Sequence, residues 1–170
     1  YRFDRYELAL GKIITPPLES QVTPAMETVK NVWIKPYEAV GGANFIKGIS
    51  PKQFVLAGSA EYNTDGTITL GTAEGGRKIV LYVVNSFDKT NLASVKQMIQ
   101  VIQHEYAHIL NQTVDYQTDY QTISRGGYVA NWTQESLASG RELGFITQYA
   151  RAAPGEDFAE MASNMLMMGP

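Results

Sequence analysis

The residues of this chain that are best suited to chemistry lie within one short stretch. His104, Glu105 and His108 form the pattern H-E-x-x-H. Positions i and i+4 lie on one face of a helix, so the two imidazoles can bind the same metal ion. Glu105 lies beside them and can accept a proton. The pattern therefore predicts a metal site, and zinc is the metal that it typically binds.

Chance is the first alternative to a metal site. A random chain of this length contains the pattern about once in several hundred cases, so the motif alone is suggestive. The chain has two histidines in all, and both lie in the motif. This concentration favours a metal site over two histidines on a solvated helix face.

The segment around the motif has the pattern of an amphipathic helix. Its apolar residues follow the i, i+3, i+4, i+7 spacing of one buried face. They are Val95, Met98, Ile99, Ile102, Tyr106, Ile109 and Leu110. Asn91 or Ser94 can cap the start, and no Gly or Pro interrupts the helix before it ends at Thr113. The histidines and Glu105 fall on a different face, which separates the predicted metal site from the core.

Length and composition predict one domain over residues 1–170, with an N-terminal helical part at 1–50 and a catalytic core at 51–170. The net charge is −3 and no basic run is present, which disfavours nucleic-acid binding and a polybasic membrane patch. The chain opens at Tyr1 rather than Met, so we expect targeting information to lie outside it.

Several elements outside the motif can be predicted from local signals. Tyr1–Gly11 is a short helix or an arm. A helix begins with Thr23 as N-cap and Pro24 in the first turn, and Pro36 and Gly41-Gly42 disturb or end it. Its aromatic residues are expected to pack in the core.

Short strands are predicted at Gln53–Leu56 and Thr67–Gly71, with a turn at Asn63–Gly66 that lacks the ligand spacing of a calcium loop. Arg77–Phe87 is the strongest strand signal, because it is rich in β-branched and aromatic residues. It can be an edge strand that pairs with a peptide substrate or an ordinary central strand.

The part of the chain after the motif is mostly polar. A long functional loop over the cleft is predicted for residues 114–143. A short helix or strand is predicted for Gly144–Tyr149. A last helix is predicted over Glu156–Met168. Its expected buried stripe consists of Phe158, Met161, Ala162, Met165 and Leu166.

A catalytic zinc site usually has three protein ligands, so the motif needs one more. The chain has no cysteine and no third histidine, which leaves an Asp or a Glu. The carboxylates after the motif are Asp115, Asp119, Glu135, Glu142, Glu156, Asp157 and Glu160. Glu156 and Glu160 stand out as an i, i+4 pair on the last helix. One can bind the metal while the other accepts the ring N–H of a metal-bound histidine; the alternative is a solvated acidic face.

Two resemblances to known families add to these patterns. The block from Tyr149 to Glu160 resembles that of anthrax lethal factor, in which a Tyr precedes an E-x-F-A-E helix whose first Glu binds zinc. A larger part of the chain is similar to the zinc-binding metallopeptidases of Bacteroidetes, which are lipoproteins associated with outer-membrane substrate-import systems. The matching stretches are Asp65–Ala73, Ile79–Asp88, His104–Gln112, Gly144–Ala150 and Glu156–Glu160.

The resemblance implies an α+β, zincin-like metallopeptidase fold. In this fold a small mixed sheet packs on the H-E-x-x-H helix, and a C-terminal helix supplies a Glu ligand. The implied zinc ligands are His104, His108 and Glu156, and Glu160 would support a zinc-bound histidine from outside the coordination sphere. The lethal-factor pattern is what favours Glu156 over Glu160 as the ligand.

The resemblance also implies a function, that of a zinc-dependent metallopeptidase of the gluzincin type. Glu105 would be the general base, and Tyr149 would lie near the developing oxyanion of a protein or peptide substrate. The family implies an extracytoplasmic lipoprotein, in the periplasm or on the outer-membrane surface. Its membrane tether would be an N-terminal segment outside this chain, and its partner an outer-membrane import system.

Two other interpretations remain open. An inactive binding module could keep the zincin fold and serve an import system without cleaving anything. The intact Glu105 argues against this, since a site that no longer cleaves needs no base. A structural zinc site is disfavoured because such sites are usually closed by four ligands.

Overall fold

A computed structural model describes residues 13–169, in which helices surround a small mixed sheet. The arm or helix predicted for Tyr1–Gly11 lies outside those residues. The helices are α1 (Glu19–Thr28), α2 (Lys35–Gly41), α3 (Ala43–Ile49), α4 (Leu92–Thr113), α5 (Tyr120–Ile123), α6 (Leu137–Glu142) and α7 (Pro154–Met168). The strands are β1 (Gln53–Leu56), β2 (Glu61–Tyr62), β3 (Ile68–Thr69), β4 (Gly71–Glu74) and β5 (Lys78–Leu81).

The main sheet has the strand order β1-β5-β4. The central strand β5 pairs in parallel with β1, in the register Gln53↔Lys78, and antiparallel with β4, in the register Gly71↔Leu81. The strands β2 and β3 form a separate hairpin, and their connection contains the predicted turn, where the Gly66 N–H donates to the Asn63 carbonyl. The described sheet is thus small and mixed, and β4 lies at its edge.

The helix predicted around the motif is confirmed as α4. Asn91 caps it, because its Oδ1 accepts hydrogen bonds from the N–H groups of Ala93 and Ser94. Ile99 and Ile102 on its apolar face are buried in the core, as the spacing predicted. The core therefore fixes the rotation of α4, and this rotation determines where the motif points.

Trp33 lies at the centre of the core, between the N-terminal helices and α4. Its ring meets the ring of Tyr106 edge-on at a centroid distance of 4.9 Å. Its indole N–H donates to Gln103 Oε1 at 3.2 Å, and the Tyr37 hydroxyl donates to the same oxygen at 2.8 Å. Gln103, one residue before the motif, is thereby held by two partners.

The Tyr106 hydroxyl is buried and has no hydrogen-bond partner among residues 13–169. An unsatisfied buried polar group costs about 1–3 kcal/mol. We therefore expect Tyr106→Phe to leave the free energy of unfolding unchanged or to raise it by about 1 kcal/mol. Thermal unfolding of the purified variant measures this effect.

Tyr37→Phe is the matched control for this prediction, since it removes a hydroxyl that does donate a hydrogen bond, to Gln103. It should lower the free energy of unfolding by about 1 kcal/mol. Equal destabilisation by Tyr106→Phe and Tyr37→Phe would contradict the prediction, because the Tyr106 hydroxyl would then have a stabilising partner.

The predicted start of the first helix is wrong. The helix begins at Glu19 rather than after Thr23, and Pro24 lies inside it. The missing N–H of Pro24 would have bonded the carbonyl of the exposed first-turn residue Ser20, which water can satisfy. The predicted disturbance and end of this helix are confirmed: a π-helical turn at Val29–Ile34 lies just before Pro36, and the helical segment ends at Gly41.

Only about a third of the strand predicted for Arg77–Phe87 is present. β5 ends at Leu81, because Val83 adopts a left-handed conformation with φ of 61° and a 3₁₀ turn follows at Val84–Ser86. β5 is the central strand, so of the two alternatives left open, the central one is confirmed. The strand predicted at Thr67–Gly71 is also divided, between β3 and β4.

The last helix is confirmed, but its predicted buried stripe is partly wrong. Met165 and Leu166 are 47% and 59% exposed. The buried positions of α7 are instead Asp157, Ala159, Ser163 and Asn164. The polar face of α7 packs on α4, because it carries the groups that meet the motif.

Residues 114–143 are less irregular than predicted, because they contain α5, a 3₁₀ turn at Trp132–Gln134 and α6. Gly144–Tyr149 forms neither the helix nor the strand that was predicted, and a 3₁₀ turn follows at Tyr149–Ala152. Within residues 13–169, no helix is both long and apolar enough to span a membrane.

Candidate metal centre

Three side chains from two helices converge on one point beside the motif. His104 Nε2 and His108 Nε2 on α4 lie 3.2 Å apart. Glu156 Oε2 on α7 lies 3.0 Å from His104 Nε2 and 3.3 Å from His108 Nε2. The packing of α7 on α4 thus brings together the three residues that the resemblance implied as ligands.

Glu160 lies one turn beyond Glu156 and contacts the other side of the same histidine. Its Oε1 is 2.7 Å from His104 Nδ1. A carboxylate at Nδ1 holds the proton on that nitrogen and leaves Nε2 free to bind a metal. The carboxylate of Glu156 therefore lies at the convergence point, and that of Glu160 lies behind the His104 imidazole.

The convergence point fits a zinc ion. Zinc bound tetrahedrally by nitrogen or oxygen at about 2.0–2.1 Å holds neighbouring ligand atoms about 3.3 Å apart. The three distances among His104, His108 and Glu156 are 3.0, 3.2 and 3.3 Å. Two imidazole nitrogens and one carboxylate oxygen are also the donors that a catalytic zinc takes, with a fourth position left for water.

The side chains of His104, His108 and Glu156, here called the metal group, interact strongly through their charges. Burial opposes a charge on His104, but hydrogen bonds to Glu156 and Glu160 outweigh it and raise its pKa to about 9. Burial would raise the pKa of Glu156, but its hydrogen bonds to His104 and His108 hold that pKa well below its usual range. A metal cation held by His104, His108 and Glu156 would take the place of the proton that these groups share.

Glu105 is buried beside the metal group, where it is 8% exposed. Burial raises the pKa of its carboxyl, although His104, His108 and the N–H of Ala73 on β4 pull it down. β4 can come this close because Gly71 has no side chain: a Cβ there would lie 2.4 Å from Val101 Cγ1. The edge strand and α4 together hold the carboxylate of Glu105 in place.

Tyr149 lies beside the metal group and lines the same cavity as Glu105. Its ring stacks on His104 at a centroid distance of 5.8 Å. Burial raises the pKa of its hydroxyl far above the usual value, and the charge and hydrogen bond of Glu156 raise it further. Both effects favour the protonated hydroxyl, which can donate a hydrogen bond.

The start of α7 is fixed by local and tertiary contacts that hold Glu156 in place. Pro154 occupies the first turn, where its fixed φ suits a helix and its missing N–H costs nothing. The neighbouring Asp157 is buried and accepts a hydrogen bond of 3.0 Å from the Tyr128 hydroxyl. This bond ties the polar segment before α6 to the helix that carries Glu156.

Two residues that sequence reasoning missed position this segment. The amide nitrogen of Gln148 donates to the carbonyls of Trp132, Thr133 and Glu135. As a result the Trp132 ring lies beside Tyr149, at a centroid distance of 4.9 Å. No spacing in the sequence signals these contacts, because the donor and its acceptors are 13 to 16 residues apart.

Arg151 is the second missed residue and is almost fully buried. Its Nε donates to the Gly127 carbonyl at 3.0 Å, and its guanidinium pairs with Glu135 at 2.7 Å. A hydrophobic segment could not hold a buried arginine without such partners. The signal that could have found it is the lone Arg between the alanines of the Tyr149–Ala153 stretch.

The other candidate ligands lie away from the convergence point. Glu135 pairs with Arg151, and Asp157 accepts from Tyr128. Asp115, Asp119 and Glu142 are exposed. Among residues 13–169, His104, His108 and Glu156 form the group that could hold a metal.

A cavity of about 650 Å³ opens beside His104 and Glu105. β3 and β4 form one wall, the N-terminal half of α4 forms the base, and Trp132 and Tyr149 form another wall. The segment at 114–143 was predicted to lie over a cleft, and Trp132 is its contribution to this cavity. The cavity is large enough for several residues of a peptide.

Comparisons with known proteins agree with this site. The family model described as "putative zinc-binding metallo-peptidase" matches residues 1–170. A solved structure with the same description, from Bacteroides caccae ATCC 43185, is similar with 36% identity and a TM-score of 0.75. The match covers 98% of this chain and 65% of that chain, so this chain spans less than two thirds of its length. No protein with a curated description matches.

These matches bear on both the fold and the metal. The α+β arrangement of helices around a small mixed sheet is that of a zinc metallopeptidase structure, as predicted. Zinc, the predicted cofactor, agrees with the family description and with the His-His-Glu group. The resemblance to lethal factor stays a prediction. By its full-length match and its site, the chain belongs to the putative zinc-binding metallo-peptidase family.

Proposed function

We propose that this protein is a zinc-dependent peptidase of the gluzincin type that hydrolyses peptide bonds. The observation that carries the proposal is the buried Glu105 carboxylate, which lies beside the His104, His108 and Glu156 group on the wall of an open cavity. A structural metal site needs no such base and no such opening. Zinc in this group would polarise the scissile carbonyl and make water acidic enough to lose a proton near neutral pH.

Glu105 is the proposed general base. Its carboxylate takes a proton from the attacking water and passes it to the leaving amine. Burial raises the pKa of Glu105, which brings its proton affinity closer to that needed near neutral pH. The N–H of Ala73 holds the carboxylate on the strand side of the metal group, so the base need not reorient during the reaction.

Tyr149 is the proposed donor to the oxyanion. Burial and Glu156 favour the protonated hydroxyl, and the Tyr149 ring stacks on His104 beside the metal group. A donor in this position stabilises the negative charge that develops on the substrate carbonyl oxygen. The contact with Trp132 supports the Tyr149 ring from the polar segment.

The outer edge of β4, beside the Ala73 N–H that meets Glu105, is the proposed docking site for the substrate backbone. β4 pairs with β5 on one side, and its Gly71 contributes to the cavity on the other. An extended peptide can pair with such an edge through main-chain hydrogen bonds. The sequence suggested this role for Arg77–Phe87, and we transfer it to β4 because β5 is central.

Cleavage of an unbiased peptide library tests the proposed function. We expect the zinc-loaded protein to cut peptides and a chelator to abolish the cutting. Tyr149→Phe should keep zinc but lower kcat by about 10²–10³-fold, the usual effect of losing one oxyanion donor. Mass spectrometry of the products measures both effects, and no cutting by the loaded protein would favour the binding-module alternative.

The cellular setting is a separate proposal, supported by the resemblance to Bacteroidetes lipoproteins. In this proposal, the protein lies outside the cytoplasm, is tethered to the outer membrane and is associated with a substrate-import system. Fractionation of cells that express the full natural protein tests this, because a cytoplasmic location would contradict it.

A further inference from the structure

The cavity beside the metal group extends along α4 toward the N-terminal end of that helix. Its base contains Lys96, Gln100 and His104, which are spaced four residues apart and so lie on one face. The site described above occupies only the His104 end. The remaining length must contact parts of a substrate away from the bond that is cut.

Lys96 gives the far end of the cavity a positive charge. It is the one lysine or arginine on the described cavity wall. Its side chain is exposed, and within residues 13–169 no carboxylate lies at ion-pair distance from it. The acidic groups of the wall, Glu105 and Glu160, lie at the other end, and Glu160 is held by His104.

The spacing along α4 fixes how far this charge lies from the metal group. Lys96 and His104 are eight positions apart, which corresponds to about 12 Å at 1.5 Å per residue. An extended peptide advances about 3.3 Å per residue, so about 12 Å corresponds to three or four residues. A peptide that runs from the metal group past Gly71 and along the cavity would therefore place its third or fourth residue from the cut near Lys96.

The wall between these two ends has more apolar than polar surface, although Gln97, Gln100 and Thr69 also contribute to it. Leu70, Val101 and Met167 contribute to it, and Trp132 faces it from the segment that Gln148 holds. Such a wall buries apolar side chains, and a methionine adapts to different shapes. An apolar stretch that ends in one unpaired cation suits a peptide with apolar residues and then a carboxylate.

We propose that Lys96 makes this protein selective for peptides with an Asp or Glu three or four residues from the scissile bond. The inference rests on the proposed peptidase function and names the substrate class of the same site. Because the cavity has one such cation, the preference should lie on one side of the cut only.

Two peptide series test the proposal with the zinc-loaded protein. The first places Asp or Glu, and the second Asn or Gln, at each position up to five residues on either side of an apolar cleavage site. In low salt we expect kcat/KM to be about two- to fivefold higher for the acidic peptide at one position, as for one exposed ion pair. Lys96→Gln should remove the preference, and Lys96→Glu should shift it to Lys or Arg.

Lys89→Gln is the matched control, because it removes the same charge from an exposed lysine outside the cavity. It should leave the preference unchanged. Salt at about 0.5 M should weaken the wild-type preference, since screening acts strongly on exposed charges. A wild-type protein with no acidic preference, or a Lys96→Gln variant that keeps it, would overturn the proposal.

Binding separates this inference from the proposed function. Fluorescence anisotropy of the labelled peptides with zinc-loaded Glu105→Gln protein gives Kd without cleavage. If the wild type cuts no peptide but acidic peptides bind more tightly through Lys96, the selectivity is supported and the peptidase function is contradicted. If peptides are cut without acidic preference, the peptidase function stands and the role of Lys96 falls.

Discussion

Glu105→Gln is expected to abolish peptide cleavage while leaving zinc bound. The amide has the shape of the carboxylate and can still accept the hydrogen bond from Ala73, so the fold should not change. The amide cannot take a proton from water, and loss of a positioned general base typically costs about 10²–10⁴-fold in rate. Steady-state kinetics with a peptide that the wild type cuts, together with metal analysis, measure both parts.

Two further variants show whether the loss of cleavage is specific to the carboxylate of Glu105. Glu142→Gln removes one exposed carboxylate from α6 and should leave the rate within about twofold of wild type, because Glu142 is not part of the cavity lining. Glu105→Asp keeps the charge but shortens its reach, so its rate should lie between those of the wild type and Glu105→Gln. A Glu105→Gln protein that retains more than about a tenth of the wild-type rate would remove Glu105 from the mechanism.

The helix that carries this base could be predicted because its signals are local. The spacing of Ile99 and Ile102 sets the buried face of α4, and Asn91 marks its start. Once the helix is fixed, i, i+4 geometry places His104 and His108 together without any tertiary information. Only the partner from another helix remained to be found, and the absence of other histidines and of cysteines restricted it to a carboxylate.

The wrong predictions concern elements in which a tertiary contact outweighs the local sequence preference. The apolar residues of α7 predicted a buried stripe, but Met165 and Leu166 are exposed because the helix turns its acidic face to the motif. Likewise β5 ends where Val83 takes a left-handed conformation, which its β propensity does not predict. For α7 the contact with the metal group explains the departure, whereas Val83 is fixed by the hydrogen bond that its N–H donates to the Ser59 carbonyl.

The cavity wall was the least predictable part. Trp132 reaches it because the Gln148 amide donates to three carbonyls in a distant turn, a contact between a side chain and backbone that no periodicity records. Arg151 anchors the same segment through Gly127 and Glu135. The polar composition of residues 114–143 indicated a loop near the cleft, but not which side chain enters it.

The second large effect, on zinc affinity, distinguishes the roles of Glu156 and Glu160 on α7. Glu160→Gln should weaken zinc binding by about 10–100-fold, because its carboxylate supports His104 from behind. Glu156→Gln should weaken it by much more and leave the purified protein without stoichiometric zinc, because a ligand is lost. Competition with a zinc chelator of known affinity measures the dissociation constants of both variants.

The geometry makes the order of these two losses the decisive result. A ligand must reach the point that both histidine Nε2 atoms face, and Glu156 Oε2 lies within 3.3 Å of each. Glu160 instead contacts His104 Nδ1, on the other side of the ring. If Glu160→Gln lost zinc while Glu156→Gln kept it, α7 would have to rotate on α4, and both the proposed ligand set and the place of Tyr149 beside it would be wrong.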